Sequence, residues 1–417
     1  MTTNSALPAY EPSLSITPPP IHAAPGVRQV VLVLDDDPIV TEGLSLGLEE
    51  QGRTVITCND LESAQIIVET LKPSHIVADV RLTGAFGYEG LDFIGYAKRH
   101  SPSSRVILMT GDAPEALQLE ASHRGAVAFL QKPFGGRQLG AVIKVMSGGT
   151  TTGTGEPVTV RIPILDDILI SPDLYPVFQP IVRLGPTWQT FGYESLARYR
   201  SDSPMQHPSV LFDYANRKHR VDELEFECVR RALASAATGL TESTLFMNIH
   251  PTVLSSSGGL LQILGQLEPQ LLERLVLEIT EHAELPGTFD MFRAIDEIRA
   301  LGVRFAFDDF GGAHTHLSVI HRVQPSFLKI GQEFGTAFET DPSKEKIIKN
   351  IVSIGHDFGC ELILEGIEDV STAEAAAHLG IGLGQGYLFG YPAELTGLPN
   401  TLTAREKTGP RSEGWLH

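Results

Sequence analysis

Short apolar segments that end in oxygen-bearing side chains recur along this chain, and this pattern limits the possible folds most strongly. In residues 304–310, RFAFDDF, a mostly apolar run leads directly into Asp308 and Asp309. Residues 31–34, VLVL, lead into consecutive aspartates in the same way. Because a buried, unpaired charge is costly and neighbouring like charges repel, both clusters need compensating cations. We therefore expect strands whose carboxyl ends converge on cation-binding sites.

Residues 28–146 alternate apolar strands with amphipathic helices. The strand segments read VVLVL, TVITC, HIVAD, RVILMT and AVAFLQ, and helical patterns such as ESAQIIVETL lie between them. Five strands separated by helices predict a doubly wound, parallel α/β sheet of the flavodoxin-like type, with helices on both faces. The Pro-, Ser- and Thr-rich residues 1–27 are predicted to be a disordered tail, and the Gly- and Thr-rich residues 147–160 a flexible linker.

Residues 161–395 contain eight candidate strands, most of them separated by helical patterns. They read YPVFQP, FGYESL, LFMNIH, LVLEIT, RFAFDDF, FLKI, LILEGI and GYLF. Eight strands in this length predict a modified (β/α)₈ barrel of the TIM type. The segment between the first two strands, VRLGPTWQT, is too short for a helical crossover, so this pair should be a hairpin with an antiparallel first strand. Residues 396–417 are predicted to be a polar tail.

The charge and the cysteine content argue against several functional classes. The net charge is −19 at neutral pH, whereas nucleic-acid binding needs clustered Lys and Arg, so no DNA partner is expected. The one compact basic run, residues 217–220, is interpreted as a solvated face. Cys58, Cys228 and Cys360 form no CxxC pair, which is typical of a reducing cytoplasm. No apolar run approaches the ~20 residues that span a bilayer, so membrane insertion is not expected.

Five polar residues stand at the ends of the N-terminal strands. In chain order they are Asp35, Asp36, Asp79, Thr110 and Lys132. The carboxyl ends of parallel strands meet at one crevice of a doubly wound sheet, so these side chains should converge. Three carboxylates suit one Mg²⁺ ion, and this ion with the lysine would neutralise a phosphoryl group on Asp79. The alternative is that these acidic residues merely cap helices, which explains a single aspartate better than five such residues in order.

This segment resembles the receiver domain of two-component response regulators. The resemblance implies a sensor histidine kinase as phosphodonor and a Mg²⁺ ion beside the phosphorylation site. The residues that it assigns are the phosphoacceptor Asp79, the Mg²⁺ ligands Asp35, Asp36 and Asp79, and the switch residues Thr110, Phe129 and Lys132. The loop TGAFGYEG after Asp79 departs from the short Pro-Gly turn that is usual in this family.

The candidate barrel strands also carry polar residues at their carboxyl ends, where barrel active sites are built. The set consists of Gln179, Glu194, Asn248, Glu278, Asp308, Asp309, Lys329, Glu365 and Gln385. It offers oxygen ligands and one lysine, without cysteine or histidine, so Mg²⁺ or Mn²⁺ fits better than zinc. One metal site would be formed by Glu194, Asn248, Glu278 and Asp308. Asp308 and Asp309 would reach a second metal, and two neighbouring metals can activate water and hold a phosphodiester.

Residues 161–395 resemble the EAL domain of cyclic di-GMP phosphodiesterases. The resemblance rests on FQPI, ESLAR, MNIH, LEITE, FDDFG, LKI, LEGIE and GQGYLFG, with Ser195 replacing the alanine of the namesake tripeptide. It implies hydrolysis of cyclic di-GMP to linear pGpG with two Mg²⁺ or Mn²⁺ ions. The catalytic residues that it assigns are Glu194, Asp309, Lys329 and Glu365, and the metal ligands are Glu194, Asn248, Glu278, Asp308 and Asp309. The substrate-binding residues are Gln179, Leu196, Arg198 and Gln385, and the anchor of the loop after Asp309 is Glu281.

Two departures from the EAL family concern this site. Gly331 follows the LKI triplet where the family usually has an aspartate, so one carboxylate is missing. Residues 310–317 read FGGAHTHL where the family reads close to FGTGYSSL, in a loop that couples metal binding to dimerisation in that family. His314 and His316 could be a metal pair, but we interpret them as polar loop residues because the oxygen site is already complete.

The sequence therefore predicts a response regulator with a phosphodiesterase output, which forms a homodimer or a higher homo-oligomer. The alternative is a non-catalytic EAL domain that binds cyclic di-GMP or a protein partner. A transcription regulator and a nonspecific nuclease are disfavoured, because the chain is acidic and has no basic recognition helix.

Overall fold

The computed structural model describes most of the chain. The described residues are 29–49, 53–82, 88–111, 115–147, 158–240, 242–255, 258–280, 289–311, 317–335, 338 and 341–397. The chain divides into two compact units: residues 1–174 with 199–221, and residues 175–198 with 222–417. The predicted tail 1–27, most of the predicted linker and most of the predicted C-terminal tail lie outside the described residues.

The first unit contains a six-stranded parallel sheet. Its strands are β1 (Val30–Leu34), β2 (Thr54–Cys58), β3 (His75–Asp79), β4 (Arg105–Thr110), β5 (Ala128–Gln131) and β6 (Val158–Arg161), in the spatial order β5-β4-β3-β1-β2-β6. The five predicted strands and the parallel arrangement are confirmed. The sixth strand differs from the prediction, because residues 158–160 were assigned to the flexible linker. Its sequence VTVR is rich in β-branched residues, and it extends the sheet by pairing with β2 from Thr54↔Val158 to Thr57↔Arg161.

Helices cover this sheet and bury its apolar side chains. They are α1 (Pro38–Glu49), α2 (Leu61–Leu71), α3 (Glu89–His100), α4 (Glu115–Arg124), α5 (Gly136–Met146), α6 (Leu165–Ile170) and α7 (Pro208–Arg217), with a 3-10 turn at Pro204–Gln206. One core cluster joins strand residues such as Val33 and Val77 to Leu44 of α1 and Leu139 of α5. A Cβ atom on Gly47 would lie 2.7 Å from the Cα atom of Gly136, so the close approach of α1 and α5 requires glycine there.

Helix α7 packs on α2 and α3 within this unit. The fully buried Tyr214 donates its hydroxyl hydrogen bond to Asp60 Oδ2 at 2.7 Å, and Asp60 also caps α2. Arg217 lies 2.7 Å from Glu69 Oε2 and donates to the Tyr96 hydroxyl at 2.8 Å. The interpretation of residues 217–220 as a solvated face is therefore wrong for Arg217, whose side chain is 23% exposed. Arg217 also pairs with Asp213 four residues earlier on α7, but Glu69 is distant in sequence, so the basic run alone did not reveal this contact with α2.

The second unit is a closed barrel. Its strands are β7 (Leu174–Arg183), β8 (Gln189–Tyr199), β9 (Thr244–Ile249), β10 (Leu275–Thr280), β11 (Arg304–Phe310), β12 (Phe327–Ile330), β13 (Glu361–Leu364) and β14 (Leu383–Gln385), in the order β10-β11-β12-β13-β14-β7-β8-β9. Strand β7 pairs antiparallel with β14, whereas neighbouring strands from β8 round to β14 pair parallel, so the antiparallel first strand is confirmed.

The eighth predicted strand, GYLF, is displaced in the structure. Strand β14 ends at Gln385, before that segment begins. A Cβ atom on Gly386 would lie 2.2 Å from the Ile367 carbonyl oxygen, so the chain passes too close to Ile367 for any other residue. The apolar residues of GYLF therefore belong to a tight turn, which their composition alone did not distinguish from a strand.

Helices surround the barrel on its outer face. They are α8 (Val221–Gly239), α9 (Pro251–Ser255), α10 (Gly258–Leu264), α11 (Pro269–Leu272), α12 (Phe289–Ala300), α13 (Leu317–Val323), α14 (Gln332–Gly335), α15 (Pro342–Phe358) and α16 (Val370–His378), with a 3-10 turn at Leu395–Gly397. This alternation of strands and helices is the predicted TIM-like architecture. Within the described part of the chain, no helix has both the length and the apolar character needed to cross a membrane.

We predict that Arg217 and Glu69 contribute jointly to the docking of α7. A double-mutant cycle with Arg217→Ala and Glu69→Ala should give a coupling energy of about 1 kcal/mol in urea unfolding, because this pair is partly shielded from water. The exposed pair Arg124 and Glu120 is the matched control and should give almost none. Equal coupling energies for the two pairs would contradict a specific role of Arg217.

Candidate active site and phosphorylation site

The barrel strands carry an apolar layer next to a polar layer. Side chains on one face of a strand recur at every second position. The apolar layer consists of Ile181, Phe246, Val276, Ala306, Phe327, Ile363 and Leu383. Two positions later on the parallel strands, or just beyond their ends, stand Asn248, Glu278, Asp308, Lys329, Glu365 and Gln385. Because β7 runs in the opposite direction, its polar residue Gln179 precedes the apolar residue by two positions, and all these side chains belong to one end of the barrel.

Lys329 occupies the centre of the polar layer. Its Nζ atom is surrounded by four carboxylate oxygens: Glu365 Oε1 at 2.7 Å, Glu278 Oε2 at 3.1 Å, Asp308 Oδ1 at 3.1 Å and Glu194 Oε2 at 3.3 Å. The lysine side chain is only 1% exposed. Burial lowers the pKa of Lys329, but the four carboxylates outweigh burial and raise the pKa well above its ordinary value. Lys329 is therefore a buried cation.

One ammonium group does not balance this set of acidic side chains. Burial, followed by the charge of Glu194, raises the pKa of Glu278 well above its ordinary value, and burial raises the pKa of Glu365 to about 8. For Glu194, burial is outweighed by the Lys329 charge and by amide hydrogen bonds, so the pKa is lowered. Among the described residues, two buried oxygen atoms of this site have no hydrogen-bond partner, Glu278 Oε1 and Gln385 Oε1, and Asp308 Oδ1 has only the Lys329 ammonium beside it. Such oxygen atoms, beside a surplus of negative charge, fit hard divalent cations.

Asp308 and Asp309 reach one site because β11 is irregular. Consecutive side chains of a regular strand point to opposite faces. Here the register between β11 and β12 shifts between Phe307 and Phe310, and Asp309 adopts a left-handed conformation with φ of 55°. Asp308, Asp309 and Glu365 thereby offer oxygen atoms that all lie within 4.8 Å of one another. This bulge redirects one side chain and creates a group that could hold a metal ion.

Amide side chains fix the carboxylate of Glu194. Gln385 Nε2 donates to Glu194 Oε2 at 2.6 Å and to Gln179 Oε1 at 3.1 Å, and Asn248 Nδ2 donates to Glu194 Oε1 at 2.7 Å. A Cβ atom on Gly192 would lie 2.4 Å from the Thr244 carbonyl oxygen, so β8 can approach β9 closely only with glycine there. Both oxygens of Glu194 are therefore oriented by neighbouring strands.

Glu225 of α8 is a buried residue at this end of the barrel that the sequence patterns did not identify. Both of its carboxylate oxygens accept from the backbone N–H of His250, at 3.1 and 3.0 Å, and burial raises its pKa to about 8. His250 follows β9 and stands two residues after Asn248. Glu225 therefore fixes the turn that follows Asn248. The available signal was an acidic residue at a buried position of α8, beside Leu224 and on the same face as Val229.

The remaining predicted barrel residues are placed as follows. Arg198 is partly buried, which lowers its pKa, and its Nη1 atom donates to the Ala197 carbonyl at 2.8 Å, while Leu196 is half-buried on the same strand. A Cβ atom on Gly331 would lie 2.5 Å from Glu333 Oε2, so the missing side chain leaves space into which another carboxylate extends. The predicted loop anchor and the two loop histidines lie outside the described residues: Glu281, His314 and His316.

The acidic residues of the first unit also converge around a lysine. Lys132 Nζ lies 2.6 Å from Asp35 Oδ2 and 3.2 Å from Asp79 Oδ1. Asp35, Asp36 and Asp79 offer oxygen atoms within 4.8 Å of one another. Burial raises the pKa of both Asp35 and Asp79. Burial lowers the pKa of Lys132, but the two aspartates outweigh burial, so the pKa of Lys132 is raised. This arrangement of acids beside a lysine can hold one divalent cation and a phosphoryl group.

The two other predicted switch residues stand on the neighbouring strands. Thr110 is buried at the end of β4, and its carbonyl oxygen accepts the backbone N–H of Lys132 at 2.8 Å. Phe129 is half-buried on β5, opposite Leu108. The five predicted strand-end residues are therefore gathered at the same edge of the sheet.

Two family models match the chain. The model of the EAL domain matches residues 164–392, and the model of the response regulator receiver domain matches residues 31–144. The two matches cover the barrel and the sheet that carry the residues described above.

Similar proteins include two curated relatives and one solved structure. Cyclic di-GMP phosphodiesterase RocR of Pseudomonas aeruginosa is 24% identical over 379 residues, which are 87% of this chain and 95% of RocR. Cyclic di-GMP phosphodiesterase TpdA of Vibrio parahaemolyticus is 30% identical over 115 residues, but this match spans 28% of the chain and only 20% of TpdA. The structure of EAL enzyme Bd1971 in its cAMP-bound form has a TM-score of 0.50 and 22% identity, covering 68% of this chain and 74% of that chain, and it supports the fold alone.

We predict that Asp309→Asn separates the role of Asp309 as a ligand from its role in the backbone. Asparagine tolerates the left-handed conformation, so the free energy of unfolding in urea should stay within about 0.5 kcal/mol of wild type. Losing one anionic ligand should weaken Mn²⁺ binding at least roughly 10-fold in calorimetric titration.

Asp309→Ala is the matched control for this experiment. Alanine also removes the charge but disfavours positive φ, so it should cost about 1 kcal/mol more than asparagine. Equal stability of the two variants would contradict the strained backbone, and unchanged Mn²⁺ affinity would contradict the ligand assignment.

Proposed function

This chain belongs to the EAL domain family and carries a receiver domain, and we propose that it is a response regulator whose barrel hydrolyses cyclic di-GMP to linear pGpG with divalent metal ions. A sensor histidine kinase phosphorylates Asp79 in this proposal, and the phosphorylation changes the rate of hydrolysis. The observation that carries the proposal is the buried group of four carboxylates around Lys329, with oxygen atoms that lack hydrogen bonds.

The relatives support the same activity. RocR is a cyclic di-GMP phosphodiesterase, and its similarity extends over nearly the whole of both chains, at 87% of this chain and 95% of RocR. TpdA is also a cyclic di-GMP phosphodiesterase, but the chain spans only a fifth of its length. The proposed activity therefore rests mainly on the residues of this chain, and the similarity to RocR supports it independently.

Divalent metal ions fit the oxygen-rich end of the barrel. The residues that would hold them are Glu194, Asn248, Glu278, Asp308 and Asp309. Bound Mg²⁺ or Mn²⁺ would lower the pKa of the attacking water and neutralise the charge that develops on the phosphate. The group of Asp35, Asp36 and Asp79 would hold a separate Mg²⁺ ion beside the phosphorylated aspartate.

The other residues of the site bind the substrate and direct the attack. Lys329 orients the water through its ammonium group, and Glu365, 2.7 Å from that group, accepts the proton of the water. The water oxygen forms a bond to phosphorus, the bond from phosphorus to the 3′-oxygen breaks, and the 3′-oxygen takes up a proton. Gln385 holds Glu194 in position. Arg198, Gln179 and Leu196 contact the phosphate and the base.

We predict that Glu194→Ala lowers the rate of pGpG formation more than roughly 100-fold, since the variant removes a carboxylate from the metal site. The barrel should still fold, because a polar strand-end residue contributes little to the apolar core. Glu361→Ala is the matched control, since Glu361 stands at the opposite end of a barrel strand and pairs with Arg183. The readout is chromatography of pGpG in saturating Mg²⁺ or Mn²⁺, together with thermal unfolding of each variant.

The outcome of that assay also separates the two candidate functions. A Glu194→Ala variant with near-normal activity would overturn the metal assignment. Wild-type protein that binds cyclic di-GMP but forms no pGpG would instead support a non-catalytic receptor. Assembly into a homodimer or higher homo-oligomer stays a prediction, for which sedimentation of the full chain is the direct measurement.

We predict that a phosphodonor such as acetyl phosphate modifies the wild-type chain and does not modify Asp79→Asn. The reason is that Asp79 lies beside Lys132 within the acidic cluster and has a side chain that is 11% exposed, whereas the side chain of Asp35, the other aspartate beside Lys132, is 1% exposed. Asp60→Asn is a suitable control, because Asp60 follows another strand of the same sheet and caps α2. Mass spectrometry locates the phosphoryl group, and a modification on any other residue would contradict the assignment.

A further inference from the structure

Two exposed tyrosines form a stacked pair on the turn that follows β14. The rings of Tyr387 and Tyr391 have centroids 4.4 Å apart and an interplanar angle of 28°. Tyr387 is 52% exposed and Tyr391 is 68% exposed, although both belong to the densely packed barrel unit. Large aromatic surfaces that remain in water on a rigid support are typical of binding sites for planar apolar groups.

The turn that carries these rings is tightly fixed. The N–H of Leu388 donates to the Ile367 carbonyl at 3.0 Å, and the N–H of Phe389 donates to the Gly386 carbonyl at 3.0 Å. Phe389 is buried, and its ring meets Trp188 edge to face at a centroid distance of 5.2 Å. The exposed rings are therefore held by a turn whose own apolar residue is anchored in the core.

The same turn is connected directly to the candidate active site. Gln179 Nε2 donates to the Gly390 carbonyl at 3.3 Å, and Gln179 Oε1 accepts from Gln385, which also donates to Glu194. Beyond the turn, Ala393 exchanges two backbone hydrogen bonds with Phe178, the neighbour of Gln179, at 2.7 and 3.1 Å. The aromatic pair is thus fixed on both sides to residues of the polar layer.

A positive charge lies close to this aromatic pair. Burial lowers the pKa of Arg198, and the acidic groups near its guanidinium group, Tyr175, Glu194 and Tyr387, oppose that effect only in part. A cation for the phosphate and an aromatic ring for the base are the two features that a nucleotide needs at neighbouring positions. The contacts through Gln179 and Gln385 connect the turn that carries the two tyrosines to Glu194, which is one of the four carboxylates around Lys329.

We propose that Tyr387, backed by Tyr391, is a specificity-determining residue that stacks on one purine base of the cyclic dinucleotide. This inference rests on the proposed function, because it names the recognition element for the substrate of the same site. Any nucleic-acid base can stack on an aromatic ring, and a purine base offers a larger stacking surface than a pyrimidine base. Tyr391 supports the Tyr387 ring from behind and fixes its orientation.

The test compares Tyr387→Ala with Tyr387→Phe in the full chain. For hydrolysis of cyclic di-GMP, Tyr387→Ala should raise KM about 10-fold to 100-fold with kcat nearly unchanged, while Tyr387→Phe stays near wild type. A second readout is a cyclic dinucleotide in which 2-aminopurine replaces one guanine. Its fluorescence should be quenched on binding to wild type and to Tyr387→Phe, and much less on binding to Tyr387→Ala. Tyr88→Ala, which removes an exposed tyrosine of the first unit, should change neither readout.

The outcomes separate the failure of this inference from the failure of the proposed function. An unchanged KM and full quenching with Tyr387→Ala would overturn the stacking role, and so would a loss of kcat without a change in KM. Wild-type protein that binds the 2-aminopurine analogue but does not cleave cyclic di-GMP would refute the hydrolase proposal alone, and the quenching comparison would still decide the role of Tyr387. Wild-type protein that neither cleaves nor binds the dinucleotides would overturn both.

Discussion

The ammonium group of Lys329 is the interaction on which the rest of the barrel site depends. The Lys329 side chain is 1% exposed, and a lysine buried to this extent stays charged only when several anions surround it. In turn, four carboxylates this close together repel one another unless a cation lies between them. These partners come from β8, β10, β11 and the end of β13, so a single charge links side chains from four places on the barrel wall. One positive charge still leaves the group acidic. The surplus of negative charge around Lys329 therefore fits the binding of divalent cations.

The position of these groups follows from the two-residue period of a strand. Most of the polar residues stand two positions from an apolar residue of the layer beneath them. The alternating direction of side chains along each strand therefore places both the apolar layer and the polar layer inside the barrel. The pattern needs two local exceptions. Gly192 takes the apolar position on β8, where a side chain would meet Thr244, and the bulge at Asp308 and Asp309 turns consecutive residues toward one centre. Both exceptions occur beside the acidic residues, where they bring the carboxylate groups of neighbouring strands close together.

The sequence predicted the strand-end residues better than it predicted their surroundings. An acidic residue after an apolar run, such as Asp79 after HIVA, can be recognised from the local sequence. Because the parallel strands end at the same edge of the sheet, such residues then lie close together in the fold. Residues 158–160 were misassigned because they follow a glycine-rich segment, and the sequence does not show that they pair with β2. Residues 386–389 were misassigned because their apolar composition is typical of a strand, and the sequence does not show how closely Gly386 approaches the Ile367 carbonyl oxygen. The pairing of Arg217 with Glu69 and that of Glu225 with His250 join residues distant in sequence, and no local pattern contains them.

The first unit contains a continuous set of contacts that begins at Asp79, the candidate phosphorylation site. A Cβ atom on Gly90 would lie 2.1 Å from the Asp79 carbonyl oxygen, so the first turn of α3 packs directly on the backbone of that residue. Further along α3, the Tyr96 hydroxyl accepts from Arg217 of α7. The segment that carries α7, residues 199–221, follows β8 with Glu194 and precedes the part of α8 that carries Glu225. A shift of α3 would therefore change the packing of α7 within the first unit.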